Sequence, residues 1–187
     1  KTRFIEKIED SNMFFFFIRP RRFGKSLTMS MLQHYYDVND ADKFDMLYKG
    51  LYIGDHPTPE HNKYLVIYLN FAVVNAELNN YRKGLDAHCN TAFGVFCDRY
   101  AEYLPDGMWE RMKAECNGAV EQLDFIYNRC AEVGQKIYLF IDEYDHFTNK
   151  ILAEPGCLDD YRSETHGTGY LRNFFDTIKA GTYSSIE

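Results

Sequence analysis

The stretch from Met13 to Ser30 restricts what this chain can become more than any other. An unbroken apolar run, Met13-Phe14-Phe15-Phe16-Phe17-Ile18, stops at Arg19-Pro20. Gly24-Lys25-Ser26 follows, just ahead of a stretch with helical spacing: Leu27, Met31, Leu32 and Tyr35. The run predicts a strand buried on both faces, as at the centre of a parallel sheet. Pro20 has no N–H to donate to a ladder, so the strand must end there. Strand, short loop, Gly-Lys-Ser and helix occur in the order of a phosphate-binding loop.

The residue types suit that chemistry. Phosphates need a dense array of donors, which the N–H groups and positive dipole end of a helix N-terminus supply. Gly24 lets the backbone approach without a Cβ in the way. Lys25 reaches the β- and γ-phosphates as a mobile point charge, and Ser26 offers a hydroxyl to Mg²⁺, which takes oxygen ligands. The full signature, G-x-x-x-x-G-K-[ST], has a glycine where this chain has Arg19. The plain alternative is a basic turn, Arg19-Pro20-Arg21-Arg22, solvated at a strand end.

A second motif answers the first. Ile137-Tyr138-Leu139-Phe140-Ile141 is an apolar strand that ends in Asp142-Glu143-Tyr144-Asp145. In a parallel α/β sheet, ligands sit at the carboxyl ends of the strands, which is where these acids fall. Asp142 is therefore the candidate Mg²⁺ ligand. Glu143 is the candidate to orient or deprotonate a water attacking the γ-phosphate. Taken alone, the pair reads as a solvated strand end; together with the loop upstream it predicts a nucleotide site. Asp145 and His146 are weaker candidates, as an outer metal partner and a phosphate contact.

Composition narrows the class. A chain of 187 residues with 45% hydrophobic and 26% charged residues suits one globular domain over 1–187. Its net charge of −7 argues against a general nucleic-acid-binding surface, which needs a basic face. The five cysteines, Cys89, Cys97, Cys116, Cys130 and Cys157, show no C-x-x-C spacing, so neither a zinc site nor a disulfide framework is indicated. Reduced thiols, no signal peptide and no apolar run of roughly 18 residues point to a cytoplasmic protein without a membrane span. The chain opens on Lys1 rather than Met, which fits a fragment of something longer.

The remaining segments predict cover for the sheet. Phe4, Ile5 and Ile8 mark a short first helix, and residues 41–63 read as irregular connections around Gly50, Gly54, Pro57 and Pro59. Tyr64 to Leu69 predicts a second central strand. Spacings of three and four from Glu77 to Leu104 predict the longest helix, closed by Pro105-Asp106-Gly107. Val120, Leu123, Tyr127 and Cys130 predict another, ending near Gly134. Residues 153–169 read as a long mobile loop, and Leu171, Phe174, Phe175 and Ile178 as a last helix.

Arg19-Pro20-Arg21-Arg22-Phe23-Gly24-Lys25-Ser26-Leu27 and Phe140-Ile141-Asp142-Glu143-Tyr144-Asp145 together resemble the bacterial AAA-ATPase-like family, whose loop typically reads R-P-R-R-F-G-K-S and whose acidic strand ends in D-E-Y-D. Lys1-Thr2 and Gly50-Leu51-Tyr52-Ile53 extend the resemblance over nearly the whole chain. It makes Arg19 a family trait. It implies a P-loop NTPase of α/β class, a mostly parallel sheet with helices on both faces, here cut short before the strand that bears a polar sensor residue. It also implies a C-terminal domain similar to PD-(D/E)XK nucleases, absent from this chain, and leaves an oligomer possible.

The expected nucleotide-binding set is Arg21, Arg22, Phe23, Gly24, Lys25, Ser26 and Leu27. Lys25 and Glu143 are expected to be catalytic, Ser26 and Asp142 to hold Mg²⁺, and ATP to be the nucleotide. The expected function is ATP binding with Mg²⁺-dependent hydrolysis; the alternative is a nucleotide-sensing switch with little turnover. A small-molecule kinase ranks lower, because the 153–169 loop offers only Arg162 and His166 as a basic lid.

Overall fold

The computed structural model describes residues 2–11, 14–18, 23–74, 81–145, 149 and 169–182. They fall into two compact units, Lys1–Val66 and Ile67–Ile186.

The first unit is helical. Helix α1 (Phe4–Glu9) precedes α2 (Lys25–Tyr36), a 3-10 helix (Val38–Lys43), α3 (Phe44–Tyr48) and α4 (Tyr52–Asp55). Of the residues whose spacing predicts α2, Leu32 and Tyr35 are buried, joined by Tyr36, while Met31 is partly covered and Leu27 is exposed. Tyrosines dominate this core. The Tyr35 ring meets those of Tyr36 and Tyr48 edge-on, at 5.2 and 5.5 Å. A buried phenol must place its hydroxyl. Tyr36 donates to Glu9 and Tyr48 to the Met31 carbonyl, while the Tyr35 and Thr58 hydroxyls share a bond. Residues 41–63, read from sequence as irregular, in fact contain three short helical turns. Their apolar residues are too few and too close to glycines to show a period. The turns pack tightly: a Cβ at Gly54 would stand 2.0 Å from the Tyr48 carbonyl oxygen.

Asp40 is the ionic centre of this unit. Its carboxylate, almost fully buried, lies 2.6 Å from both Lys43 Nζ and His34 Nδ1. Burial alone would raise its pKa, but the bonds from Lys43 and His34 outweigh that and hold it below the usual carboxylate range.

No strand is formed over 14–18, the described part of the strand expected at Met13–Ile18. Of its residues, Phe16 and Ile18 are 72% and 90% exposed. Apolarity states what a segment prefers to bury. It does not supply the two neighbouring strands that a doubly buried strand needs. Among the described residues the sheet has only two strands, β1 (Leu65–Asn70) and β2 (Ile137–Asp142), side by side and parallel.

The second unit contains β2 and β1 from Ile67 onward. A 3-10 turn (Phe71–Val73) follows β1, then come α5 (Tyr81–Arg99), α6 (Met108–Glu115) and α7 (Ala119–Glu132), and α8 (Tyr170–Gly181) comes after β2. Helix α5 buries Leu85, Cys89, Phe93 and Phe96 as its spacing predicts, but it stops at Arg99 rather than Leu104. Tyr100 and Leu104 are still buried, carried by turns. Helix α6 was not foreseen, since its inner face is only Met108 and Met112. Helix α7 packs against both α5 and α8. Asp86 of α5 ties them: it accepts from the Ala119 N–H at 2.7 Å, opening α7, and from the Tyr170 hydroxyl on α8. A carboxylate there also suits the positive end of α7.

Cys89, Cys97, Cys116 and Cys130 are free thiols; Cys157 lies outside the described residues, as does nearly all of the 153–169 loop. Among the described residues no helix is long and apolar enough to cross a membrane.

Candidate functional site

Each motif is set by its own element. In the first unit Gly24 opens α2 with φ +77°, in the left-handed region. Nothing stands within 4 Å of where a Cβ would sit, so it is the backbone angle that requires glycine there. The Gly24 carbonyl closes the first turn by accepting from both the N–H and the hydroxyl of Thr28, each at 3.0 Å. Glycine provides no side-chain cap for the N–H groups of that turn. Around them Lys25 is half-buried and Ser26 exposed. Phe23 and Leu27 are exposed apolar residues flanking the pair. Arg21 and Arg22, with Arg19 and Pro20, lie outside the described residues.

In the second unit β2 runs through Asp142, one residue further than its apolar run. Asp142 is 6% exposed. Its two carboxylate oxygens are engaged separately: Oδ1 accepts from the Glu143 N–H at 2.9 Å, and Oδ2 from the Tyr68 hydroxyl at 3.2 Å. Glu143 has φ +55°, a left-handed angle that a residue with a Cβ seldom adopts. Such outliers gather where a site demands them. Here the twist points the Glu143 N–H back at the preceding carboxylate, and the chain then turns helical at Tyr144-Asp145. Asp145 is exposed, and His146 is outside the described residues.

Tyr68 was missed in the sequence because it sits in an apolar run that reads as core throughout. The strand instead alternates, burying Leu65, Ile67 and Leu69 and turning Tyr68 to the other face, 38% exposed. A lone hydroxyl on that alternate face was the available signal.

Ser26 and Asp142, one in each unit, are each an oxygen donor of the type a hard cation takes. Among the described residues no cluster of three or more His, Cys, Asp or Glu side chains could hold a metal by itself. Mg²⁺ at nucleotide sites needs less, one or two protein oxygens with phosphates and waters completing the shell, and Asp142 and Ser26 are donors of that kind. Two clefts of about 520 and 480 Å³ lie elsewhere, one beside Phe44, Asp45 and His61 and the other beside Cys116, Phe125 and Arg129. Neither is lined by residues of the two motifs.

A family model described as predicted AAA-ATPase matches residues 1–187. No curated protein and no solved structure matches the chain significantly. The family match runs the full length of the chain and takes in both motifs, so the chain belongs to the AAA-ATPase-like family.

Proposed function

We propose that this chain binds ATP with Mg²⁺ and hydrolyses its terminal phosphoanhydride. The observation that carries this reading is the end of β2, where a buried carboxylate held on both oxygens is followed by a glutamate in a strained backbone conformation. Membership of an ATPase-like family supports nucleotide binding in general.

Phosphoryl transfer asks a protein mainly for positioning and charge neutralisation. The N–H groups at the start of α2, with Lys25, meet the β- and γ-phosphates, and Arg21 and Arg22 add positive charge to the same loop. Ser26 and Asp142 would hold Mg²⁺, which would supply positive charge against the charge that develops on the phosphates. Glu143 accepts a proton from the attacking water as its oxygen bonds to the γ-phosphorus and the bridging P–O bond breaks, leaving ADP and phosphate. Phe23 and Leu27 give the nucleotide apolar surface beside the loop. The partner for this cycle, implied by the family resemblance alone, is a domain similar to PD-(D/E)XK nucleases.

The test pairs two variants. Lys25→Ala is expected to remove ATP binding, measured by titration calorimetry, and unchanged affinity would sink the assignment of the loop. Glu143→Gln is expected to keep binding while phosphate release falls by on the order of 100-fold or more, the worth of a positioned general base. Equally slow release from the unaltered chain and from Glu143→Gln would leave a nucleotide-binding switch instead of a hydrolase.

A further inference from the structure

We propose that Tyr68 is a positioning residue for Asp142, and that its hydroxyl sets how tightly the site takes Mg²⁺. This rests on the reading of Asp142 as a Mg²⁺ ligand.

The two bonds to the Asp142 carboxylate differ in kind. The bond to Oδ1 comes from the backbone N–H of Glu143, which any residue but proline would supply at that position. The bond to Oδ2 comes from a side chain 74 residues away in sequence, on the neighbouring strand. The terminal torsion of an aspartate is broad, so a carboxylate held through one oxygen can still swing about it. A donor on the second oxygen fixes the plane. Tyr68 supplies such a donor, and parallel pairing of β1 with β2 places its ring beside the strand end.

Packing does not explain a tyrosine here. At 38% exposure the ring is only partly covered, on the face opposite Leu65, Ile67 and Leu69. A phenylalanine would cover the same surface, and what it would lack is the donor to Asp142. Hydrogen-bonded partners of a ligating carboxylate orient it toward the ion, and losing one typically lowers metal affinity 10- to 100-fold.

The experiment titrates Mg²⁺ into the full chain with a fluorescent ATP analogue, and measures analogue affinity separately in EDTA. For Tyr68→Phe the half-saturating Mg²⁺ concentration is expected to rise about 10-fold. Analogue affinity in EDTA and the melting temperature should stay as they were, which a merely structural role would not predict. Tyr68→Leu, also lacking the hydroxyl, should shift Mg²⁺ equally. A shift in Tyr68→Leu alone assigns the effect to packing and overturns the proposal. Asp142→Asn should remove the Mg²⁺ dependence, with no further change on adding Tyr68→Phe. If Asp142→Asn does so while Tyr68→Phe behaves as the unaltered chain, Tyr68 has no such role and the reading of Asp142 survives. If Asp142→Asn keeps a normal Mg²⁺ dependence, that reading fails and takes this proposal with it.

Discussion

Asp40 shows how much of the first unit hangs on a single side chain. Its carboxylate is buried with two half-exposed basic partners at 2.6 Å, so removing its charge leaves a buried polar group without the ionic bonds from Lys43 and His34. Asp40→Asn is expected to lower stability by about 2 kcal/mol at neutral pH, read from urea unfolding. The pH dependence follows from the direction of the shift. The folded pKa lies below the ordinary value of 3.8, so the unfolded chain binds the proton more tightly. The stabilisation is therefore present above about 3.8 and is lost as the pH falls through the lower folded value. Asp40→Asn should remove that acid limb, and an unchanged acid limb would show that Asp40 does not carry it.

Among elements, α7 depends on a carboxylate that is not its own. Gly118 precedes it without a side chain, and Asp86 reaches in from α5 to accept from Ala119 while also holding Tyr170 on α8. Asp86→Ala is expected to cost about 1–2 kcal/mol, the range for losing a helix cap, and to loosen α7 and α8 together in hydrogen exchange. Protection factors lowered in α5 alone would contradict that. The elements also show which parts of this fold could be read in advance. Helices α2, α5, α7 and α8 were legible, because each presents several apolar residues at a spacing of three or four. Helix α6 has two and was not. The run at 14–18 misled for the opposite reason, since five apolar residues in a row fit a central strand but contain nothing about what lies beside them. For the candidate site, Gly24, Lys25, Ser26, Asp142 and Glu143 stand out in the sequence because phosphate chemistry restricts residue type and order, and their roles are those proposed above. Tyr68 was not, since hydroxyl and ring share one letter and only the alternation of β1 shows which of them matters.

At the scale of the whole molecule, two units with separate cores each hold one motif, and a chain of net charge −7 confines its local basic stretch to residues 19–25. One backbone angle has a bearing on the stability of the entire fold. A residue with a Cβ held near φ +55° gives up about 1 kcal/mol that glycine would not. Glycine elsewhere lowers stability by a similar amount through chain entropy. At position 143 the two effects oppose, and Glu143→Gly is expected to leave the urea midpoint level or slightly raised while the proposed hydrolysis is lost; a drop worth 1 kcal/mol or more would show the angle to be unstrained. Where the midpoint is raised, a laboratory selection for heat tolerance would favour glycine at this position, and the descendants it kept would be the ones without the hydrolysis proposed above.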